Sequence, residues 1–321
     1  MERLFFVLLH TENLKMKNTL ITLLGPTASG KTRLAVKLAH ALDAEIISGD
    51  SRQVYRGMDI GTGKDISEYT FNGNQIPYHL IDIADAGYKY NVFEYQRDFL
   101  QAYSSILERG KQAVLCGGTG LYIESVLKSY NLMPVPANPE LRNALDGKTL
   151  AELTETLSTY KMLHNSTDVD TVKRAIRAIE IEEFYKLNPK PQSDFPEISS
   201  VVFGLQLDRE ERRRRISQRL KARLEEGMIA EVQALIDGGI PVEDLIYYGL
   251  EYKYVSLYLT GVLSYTELYN QLEIAIHQFA KRQMTWFRGM EKRGISIIWL
   301  DALADADENV QKMLEVVNRV D

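Results

Sequence analysis

Apolar and polar residues follow one another along the chain in blocks that predict strands and helices in turn. Residues 19–24 form a short apolar run rich in β-branched residues, and Leu34, Leu38 and Leu42 then recur at helical spacing. The pattern predicts further strands at Ala44–Ser48, 113–116, 201–207 and 296–300, and further helices at 121–127, 209–237 and 265–290. Strands that alternate with helices are typical of a parallel sheet covered on both faces, so the sequence predicts an α/β fold.

Changes in composition divide the chain into segments. Prolines mark a linker from residue 131, the stretch that follows is helical in pattern, and PKPQSDFPEISS forms a second linker. We therefore predict a core made of 18–130 and 195–321, the latter with a basic helix and C-terminal helices, and an inserted helical subdomain over 131–190. Residues 1–17 are predicted to be a disordered leader or a short extra strand, and Met16 is an alternative start. The apolar stretch 4–9 is too short to span a membrane.

Charge and cysteine content narrow the function classes. The net charge of −6 argues against a protein that coats nucleic acid without selectivity. A local exception is the segment 209–223, which carries eight basic and two acidic residues and is expected to contact a phosphate backbone. The single cysteine, Cys116, excludes internal disulfides and cysteine-rich zinc modules, and a reducing, cytoplasmic location is expected.

The segment 25–32 reads GPTASGKT, which matches the phosphate-binding P-loop pattern between a predicted strand and a predicted helix. Glycines let backbone N–H groups turn toward an anion, and the helix adds the positive end of its dipole. Lys31 supplies a positive charge, and the Thr32 hydroxyl is the predicted Mg²⁺ ligand. The predicted phosphate-binding residues are Gly25, Thr27, Ala28, Ser29, Gly30, Lys31 and Thr32.

The ends of two other predicted strands carry the remaining candidate chemistry. The strand 113–116 is followed by Gly117, Gly118 and Thr119 rather than by the aspartate that holds Mg²⁺ in P-loop ATPases and GTPases, which counts against such an activity. Asp50 follows the second strand, at the sheet edge where open α/β folds bind ligands. The alternative for Asp50 is the cap of a following helix.

Together these segments resemble the tRNA dimethylallyltransferases, also called tRNA isopentenyltransferases. The resemblance rests on GPTASGKT, on ISGDSRQVYRGMDIGTGK (47–64), on GGTGLYIESVL (117–127), on PVPANPELR (134–142) and on FAKRQMTWFR (279–288). It implies a P-loop NTPase-like parallel sheet core with an inserted helical subdomain. The segment YGLEYKY (248–254) departs from the Gly-Tyr-Lys-type turn of the family, and no diphosphate contact is assigned to Lys253.

The resemblance also implies a reaction: transfer of the dimethylallyl group from dimethylallyl diphosphate to N6 of adenine 37 in tRNA. The P-loop would hold the leaving diphosphate with Lys31 and Mg²⁺, Asp50 would be the general base, and Thr119 would add a hydrogen bond. The target base would be flipped out of the anticodon stem-loop. The implied tRNA-binding residues are Asp50, Ser51, Arg52, Gln53, Thr119, Arg142, Asp170, Thr171, Val172, Lys173, Arg174, Lys281 and Arg282. A monomer with no obligatory protein partner and no membrane association is expected.

Three alternatives belong to other classes. A small-molecule kinase would turn over ATP, a free-nucleotide prenyltransferase would modify AMP, and an RNA-binding switch would use the P-loop as a nucleotide sensor. The predicted helical insertion and the basic segment 209–223 have no purpose for a small acceptor, which disfavours the first two. The switch would leave Asp50 and Thr119 without a role.

Overall fold

The computed structural model describes residues 19–163, 169–189 and 195–319. The expectations for the leader 1–17 lie outside these residues. The chain divides into two compact units, of which the smaller is Ser129–Pro196 and the larger combines the segments before and after it.

The larger unit is built on a parallel sheet. The strands of the chain are β1 (Leu20–Leu24), β2 (Ala44–Ser48), β3 (Thr70–Phe71), β4 (Asn74–Gln75), β5 (Tyr78–His79), β6 (Gln112–Gly117), β7 (Ser200–Gln206) and β8 (Ile297–Asp301). Six of them pair in the order β5-β2-β6-β1-β7-β8, and every pairing in this sheet is parallel. Strands β3 and β4 form a separate antiparallel hairpin. The α/β fold with a parallel sheet is confirmed.

Helices connect the strands and form the smaller unit. They are α1 (Lys31–Leu42), α2 (Val92–Glu108), α3 (Gly120–Leu127), α4 (Pro139–Leu145), α5 (Leu150–Ser158), α6 (Val172–Leu187), α7 (Arg209–Glu226), α8 (Met228–Asp237), α9 (Val242–Tyr248), α10 (Leu250–Leu259), α11 (Tyr265–Lys292) and α12 (Ala306–Val317). A 3₁₀ turn, Ile66–Tyr69, precedes the hairpin. No helix within the described ranges has the length and apolar character needed to cross a membrane.

The core lies against both faces of the sheet. Strands β1, β2 and β6 are buried at every position, as expected of central parallel strands. On one face Ile21 and Leu23 pack with Leu34 of α1 and Met313 of α12. On the other face α2 packs against β6 and α3, and α11 packs against α3. Burial on both faces explains why these strands read as continuous apolar runs.

The predicted single helix over 209–237 is wrong in one respect, because the structure divides it at Gly227. This residue adopts a left-handed conformation (φ 111°) that ends α7 and precedes α8. A left-handed glycine is a common helix terminus, since glycine reaches that conformation at little cost. The helical spacing of apolar residues continues across the break, which is why the pattern alone suggests one helix.

The smaller unit has its own apolar core, in which Leu153 and Leu157 of α5 pack with Ala175 and Ile179 of α6. It also has a buried carboxylate, Glu180, which is bound by Arg142 through two hydrogen bonds of 2.9 Å and by Arg177. Burial tends to raise the pKa of Glu180, but hydrogen bonds from Arg142, the Asn138 N–H and Arg177 outweigh it and lower the pKa to about 2.

Candidate active site

The P-loop joins β1 to α1 and has the backbone conformation of an anion-binding loop. Ala28 and Gly30 are both left-handed, with φ of 61° and 85°, as in the backbone nests that bind anions. Helix α1 begins directly after Gly30, and no side chain caps its first N–H groups. The buried Ser29 hydroxyl has no hydrogen-bond partner among the described residues. These unpaired donors at a helix N-terminus fit a phosphate group.

The Lys31 side chain lies inside this site. Its Cε is 3.7 Å from the position that a Cβ on Gly118 would take, so its stem runs beside the loop after β6. Burial lowers the pKa of Lys31, while Cys116 and Asp50 nearby raise it. A buried ammonium group gains most from an anion placed next to it, because the protein has removed its water.

Gln283 of α11 ties the P-loop to the loop after β6. Its Oε1 accepts a hydrogen bond from the Thr27 N–H (2.9 Å), and its Nε2 donates to the Gly118 carbonyl (2.9 Å). The side chain is 7% exposed. Sequence analysis missed this residue, although a polar amide on the apolar stripe of a helix, in line with Ala280 and Phe287, is a signal that could have indicated it.

Asp50 and Thr119 are brought together because β2 and β6 are neighbours in the sheet. The two loops touch through the backbone: a Cβ on Gly117 would lie 2.3 Å from the Gly49 carbonyl carbon, so only glycine fits there. The Thr119 N–H donates to the Gly49 carbonyl (3.1 Å), and the Ser51 N–H donates to Thr119 Oγ1 (3.0 Å). The side chains of Asp50 and Thr119 are thus held at one edge of the sheet.

The Asp50 carboxylate has one oxygen engaged and one available. Oδ1 accepts the Arg52 N–H (2.9 Å), while Oδ2 has no partner within the described part of the chain. The side chain is half-buried, and it contributes to the electrostatic environment of Lys31. A fixed carboxylate with a free oxygen is suited to accept a hydrogen bond or a proton from a bound molecule.

Arg219 of α7 reaches the P-loop and Arg223 lies beside it, which sequence analysis did not anticipate. Arg219 lies 3.4 Å from the Thr27 hydroxyl and donates to Asp65 (2.8 Å), and Arg223 donates to the same carboxylate (3.2 Å). Their guanidinium groups occupy the space beside Gly63, where a Cβ would lie 2.1 Å from Arg223 Nη2. The segment 209–223 therefore does not present all of its arginines to the outside.

The loop that carries Gly63 is anchored by a single carboxylate from α8. Glu231 accepts the N–H groups of Asp59 (2.8 Å), Ile60 (2.7 Å) and Gly61 (3.0 Å). It also accepts the Tyr252 hydroxyl (2.7 Å). Four donors on one carboxylate fix the loop firmly, so the surface on which the two arginines rest is preorganised.

Comparison with known proteins identifies the relatives of this chain. The model of the IPP transferase family matches residues 53–290, and a model of isopentenyl transferase matches residues 18–78. The chain belongs to the IPP transferase family. It is 65% identical to tRNA dimethylallyltransferase 2 of Phocaeicola vulgatus over 94% of this chain and 98% of that protein. It is 63% identical to tRNA dimethylallyltransferase 2 of Porphyromonas gingivalis, over 92% and 98% of the two chains.

Solved structures agree with this assignment. The full-length tRNA isopentenylpyrophosphate transferase from Bacillus halodurans matches with a TM-score of 0.68 and 33% identity, over 94% of this chain and 96% of that chain. A eukaryotic dimethylallyltransferase acting on tRNA matches with a TM-score of 0.72 at 22% identity, over 92% and 77% of the two chains, and shows the shared fold.

Several residues expected to contact tRNA in this IPP transferase make contacts within the chain. Gln53 accepts the Ser48 hydroxyl (3.0 Å) and donates to the Gly63 carbonyl (3.1 Å), so both ends of its amide are engaged. Arg52 donates to the Tyr247 carbonyl (3.1 Å) and lies over the Tyr247 ring, 5.5 Å from its centre. Lys281 and Arg282 are exposed on α11.

In the smaller unit the expected tRNA contacts lie in the last turn of α4 and around the start of α6. Arg142 is on α4 and bonds to Glu180, as described above. Asp170 and Thr171 precede α6: Thr171 caps it by accepting the Arg174 N–H (3.3 Å), and Asp170 pairs with Arg174. Val172 and Lys173 are exposed.

The segment 248–254, which departs from the family pattern, contributes a carboxylate to the site. Glu251 lies near Arg219, Arg223 and Asp50, and burial raises its pKa. Lys253, to which no diphosphate contact was assigned, lies instead over the Tyr254 ring, 5.1 Å from its centre. This segment thus adds a carboxylate, and no cation, to the surroundings of the two arginines.

Proposed function

We propose that this protein transfers the dimethylallyl group from dimethylallyl diphosphate to N6 of adenine 37 in tRNA, with release of diphosphate. The observation that carries the proposal is the meeting of a phosphate-binding loop and a carboxylate with a free oxygen at one edge of the sheet. One binds the leaving group, and the other receives a proton from the attacking amine. Because the substrate is tRNA, we expect the enzyme to act in the cytoplasm. We also expect it to act as a monomer.

The P-loop and its arginines act on the leaving group. As the allylic C–O bond breaks, negative charge grows on the diphosphate oxygens. Lys31 and Arg219 supply fixed positive charge there, and Gln283 and Asp65 hold this frame in place before the substrate arrives. Preorganised charges of this kind need no rearrangement during the reaction, which makes them effective.

We propose that Mg²⁺ is bound jointly by an oxygen of the protein and by the diphosphate of the substrate. Within the described ranges no three acidic, histidine or cysteine side chains form a metal cluster. Mg²⁺ commonly binds through one or two protein oxygens together with phosphate oxygens and water. The Thr32 hydroxyl, in the first turn of α1, would hold it, and when bound the ion would add Lewis-acid stabilisation of the diphosphate.

Asp50 is the proposed general base. The lone pair of the adenine N6 amine is delocalised into the ring, so the amine is a poor nucleophile and must lose a proton as the new C–N bond forms. The free Oδ2 of Asp50 accepts that proton, and Oδ1 is held by the Arg52 N–H so that the carboxylate keeps its direction. Thr119, which is anchored to Ser51, adds a hydrogen bond beside the base.

Binding of the tRNA is assigned to both units of the chain. Residues 50–53 and Thr119 are proposed to surround the acceptor adenine. Lys281 and Arg282 offer exposed positive charge on α11, and Arg142 with residues 170–174 are the proposed contacts of the smaller unit. The anticodon stem-loop is the part of tRNA that has to approach, since the flipped base must reach Asp50.

The direct test is incubation of the protein with labelled dimethylallyl diphosphate, Mg²⁺ and unmodified tRNA, followed by nucleoside analysis. We expect label in N6-isopentenyladenosine with no ATP consumed. ATP hydrolysis stimulated by tRNA, without label in the RNA, would contradict the proposal and favour the kinase or switch alternatives.

Replacement of Asp50 by Asn tests the base. The amide keeps the oxygen that accepts the Arg52 N–H but has no basicity, so we expect kcat to fall by about 10²- to 10⁴-fold while tRNA affinity changes little. Single-turnover transfer at saturating substrates measures this, and Asp307→Asn, an exposed carboxylate on α12, is the control. A folded Asp50→Asn enzyme with near-normal transfer would refute the assignment.

A further inference from the structure

A group of basic side chains lies where α7 and α11 pack together. Arg212 and Arg213 are in the first turns of α7, and His277 and Arg288 are on α11. Burial, Arg288 and Arg209 lower the pKa of Arg212, and burial with Arg213 lowers the pKa of His277, as expected of charges that lie near one another where the two helices pack. We name Arg212, Arg213 and Arg288 the α7–α11 cluster.

The cluster differs from the other arginines of α7 in having no counter-ion. Arg214 and Arg215 both pair with Glu211 (2.7 Å), and Arg219 and Arg223 share Asp65. Arg212, Arg213 and Arg288 form no ion pair within the described part of the chain. The acids that face this surface are Asp208, near Arg212, and Glu273, near His277.

Unpaired like charges held together raise the free energy of the folded protein, and an anion that binds them relieves it. Arg213 and Arg288 are exposed, and Arg212 is half-buried, so their charge is accessible from outside. From His277 to Arg288 the surface extends about 16 Å along α11. That length suits a polymer with several phosphates better than a single small anion.

We propose that the α7–α11 cluster binds the phosphate backbone of the substrate RNA. Its position supports this role, because Gln283, which contacts the P-loop, lies on the same helix about 7 Å along its axis from Arg288. Helix α7 would then serve both substrates: its first turns bind RNA, and Arg219 serves the diphosphate. The inference rests on the proposed function, since it takes tRNA as the polyanion.

The test neutralises the cluster with Arg212→Gln, Arg213→Gln and Arg288→Gln together, which keeps side-chain length. We expect tRNA affinity at roughly 0.15 M salt to fall by about tenfold or more, and the plot of log K against log salt to become shallower by about two units. The kcat at saturating tRNA and the KM for dimethylallyl diphosphate should stay within about twofold of the parent, because neither the base nor the diphosphate site is touched.

Arg214→Gln is the matched control for the single variant Arg213→Gln, since each removes one charge from α7, but Arg214 is already paired with Glu211. We expect it to leave affinity and salt slope unchanged. An equal loss in Arg214→Gln, or an unchanged salt slope in the triple variant, would overturn the inference. Should the triple variant fail to fold, Arg213→Gln and Arg288→Gln singly carry the same test, each with a slope change of about one unit.

The same measurements separate this inference from the proposed function. If the parent protein transfers label to tRNA but the triple variant binds tRNA normally, only the role of the cluster is refuted. If the parent protein does not transfer the label at all, the proposed function itself is refuted.

Discussion

Gln283 offers a sharp test of how the site is held together, through the change Gln283→Leu. Leucine has a similar size but cannot bond, so the Thr27 N–H and the Gly118 carbonyl would both lose their partner in a buried setting. An unsatisfied buried group costs about 1–3 kcal/mol. Part of that cost is recovered if the loop relaxes toward water, but the relaxed loop no longer presents its donors to the diphosphate.

We therefore expect kcat/KM for dimethylallyl diphosphate to fall by about 10- to 100-fold, equivalent to about 1.4–2.8 kcal/mol. Most of the effect should be in KM, because the ground-state diphosphate already uses the loop. Steady-state transfer at saturating tRNA measures it. Gln278→Leu makes the same change at an exposed position of α11 and should have little effect.

Gln283→Glu separates bonding from charge. Its carboxylate still accepts the Thr27 N–H, but it opposes the Gly118 carbonyl and adds a negative charge beside the diphosphate. We expect it to be worse than Gln283→Leu. A leucine variant within about twofold of the parent enzyme would show that the P-loop holds its shape without this amide, and the reasoning would fail.

Two further predictions concern charge. Arg219→Gln should raise the KM for dimethylallyl diphosphate by about tenfold without changing tRNA affinity, because the Arg219 guanidinium lies at Thr27 and Asp65. A change in tRNA affinity with no change in this KM would contradict the assignment. Glu180 has a pKa of about 2, below the ordinary value of 4.5, so its stabilisation is complete above pH 4.5 and is lost as the pH falls toward 2. At neutral pH, Glu180→Gln should therefore lower the stability of the smaller unit by up to about 3 kcal/mol, which would be seen as faster proteolysis within 129–196. Unchanged proteolysis would refute the stabilising role of the contacts between Glu180 and its two arginines.

Local patterns predicted much of the fold. Strand β2 agrees with its prediction at both ends, and β1, β6, β7 and β8 agree within one residue at each end. The central strands β1, β2 and β6 are buried at every position and mostly apolar, and the P-loop is a contiguous motif. The error at Gly227 arose because apolar spacing continues across the break and a glycine in a helical pattern does not by itself end the helix.

The parts of the site that were missed depend on contacts between distant residues. Gln283 and Thr27 are 256 positions apart, and Arg219 is 154 positions from Asp65. No local pattern relates such residues, and in the sequence Arg219 is one of the eight basic residues of the segment 209–223. The structure separates these residues by their partners: Glu211 for Arg214 and Arg215, Asp65 for Arg219 and Arg223, and none within the described ranges for Arg212 and Arg213.

The surroundings of the P-loop fit the proposed reaction, which is not a phosphoryl transfer. In this chain β6 ends at Gly117 and is followed by Gly118 and Thr119. P-loop ATPases and GTPases place an aspartate for Mg²⁺ at this strand end. After β6 the Gly117 backbone instead packs against the Gly49 backbone, and this contact brings Asp50 close to the phosphate site. In the proposed reaction this carboxylate accepts a proton from the attacking amine, while cationic side chains stabilise the negative charge that grows on the diphosphate. Lys31 and Arg219, the latter held by Asp65 and 3.4 Å from the Thr27 hydroxyl, are placed to supply that charge.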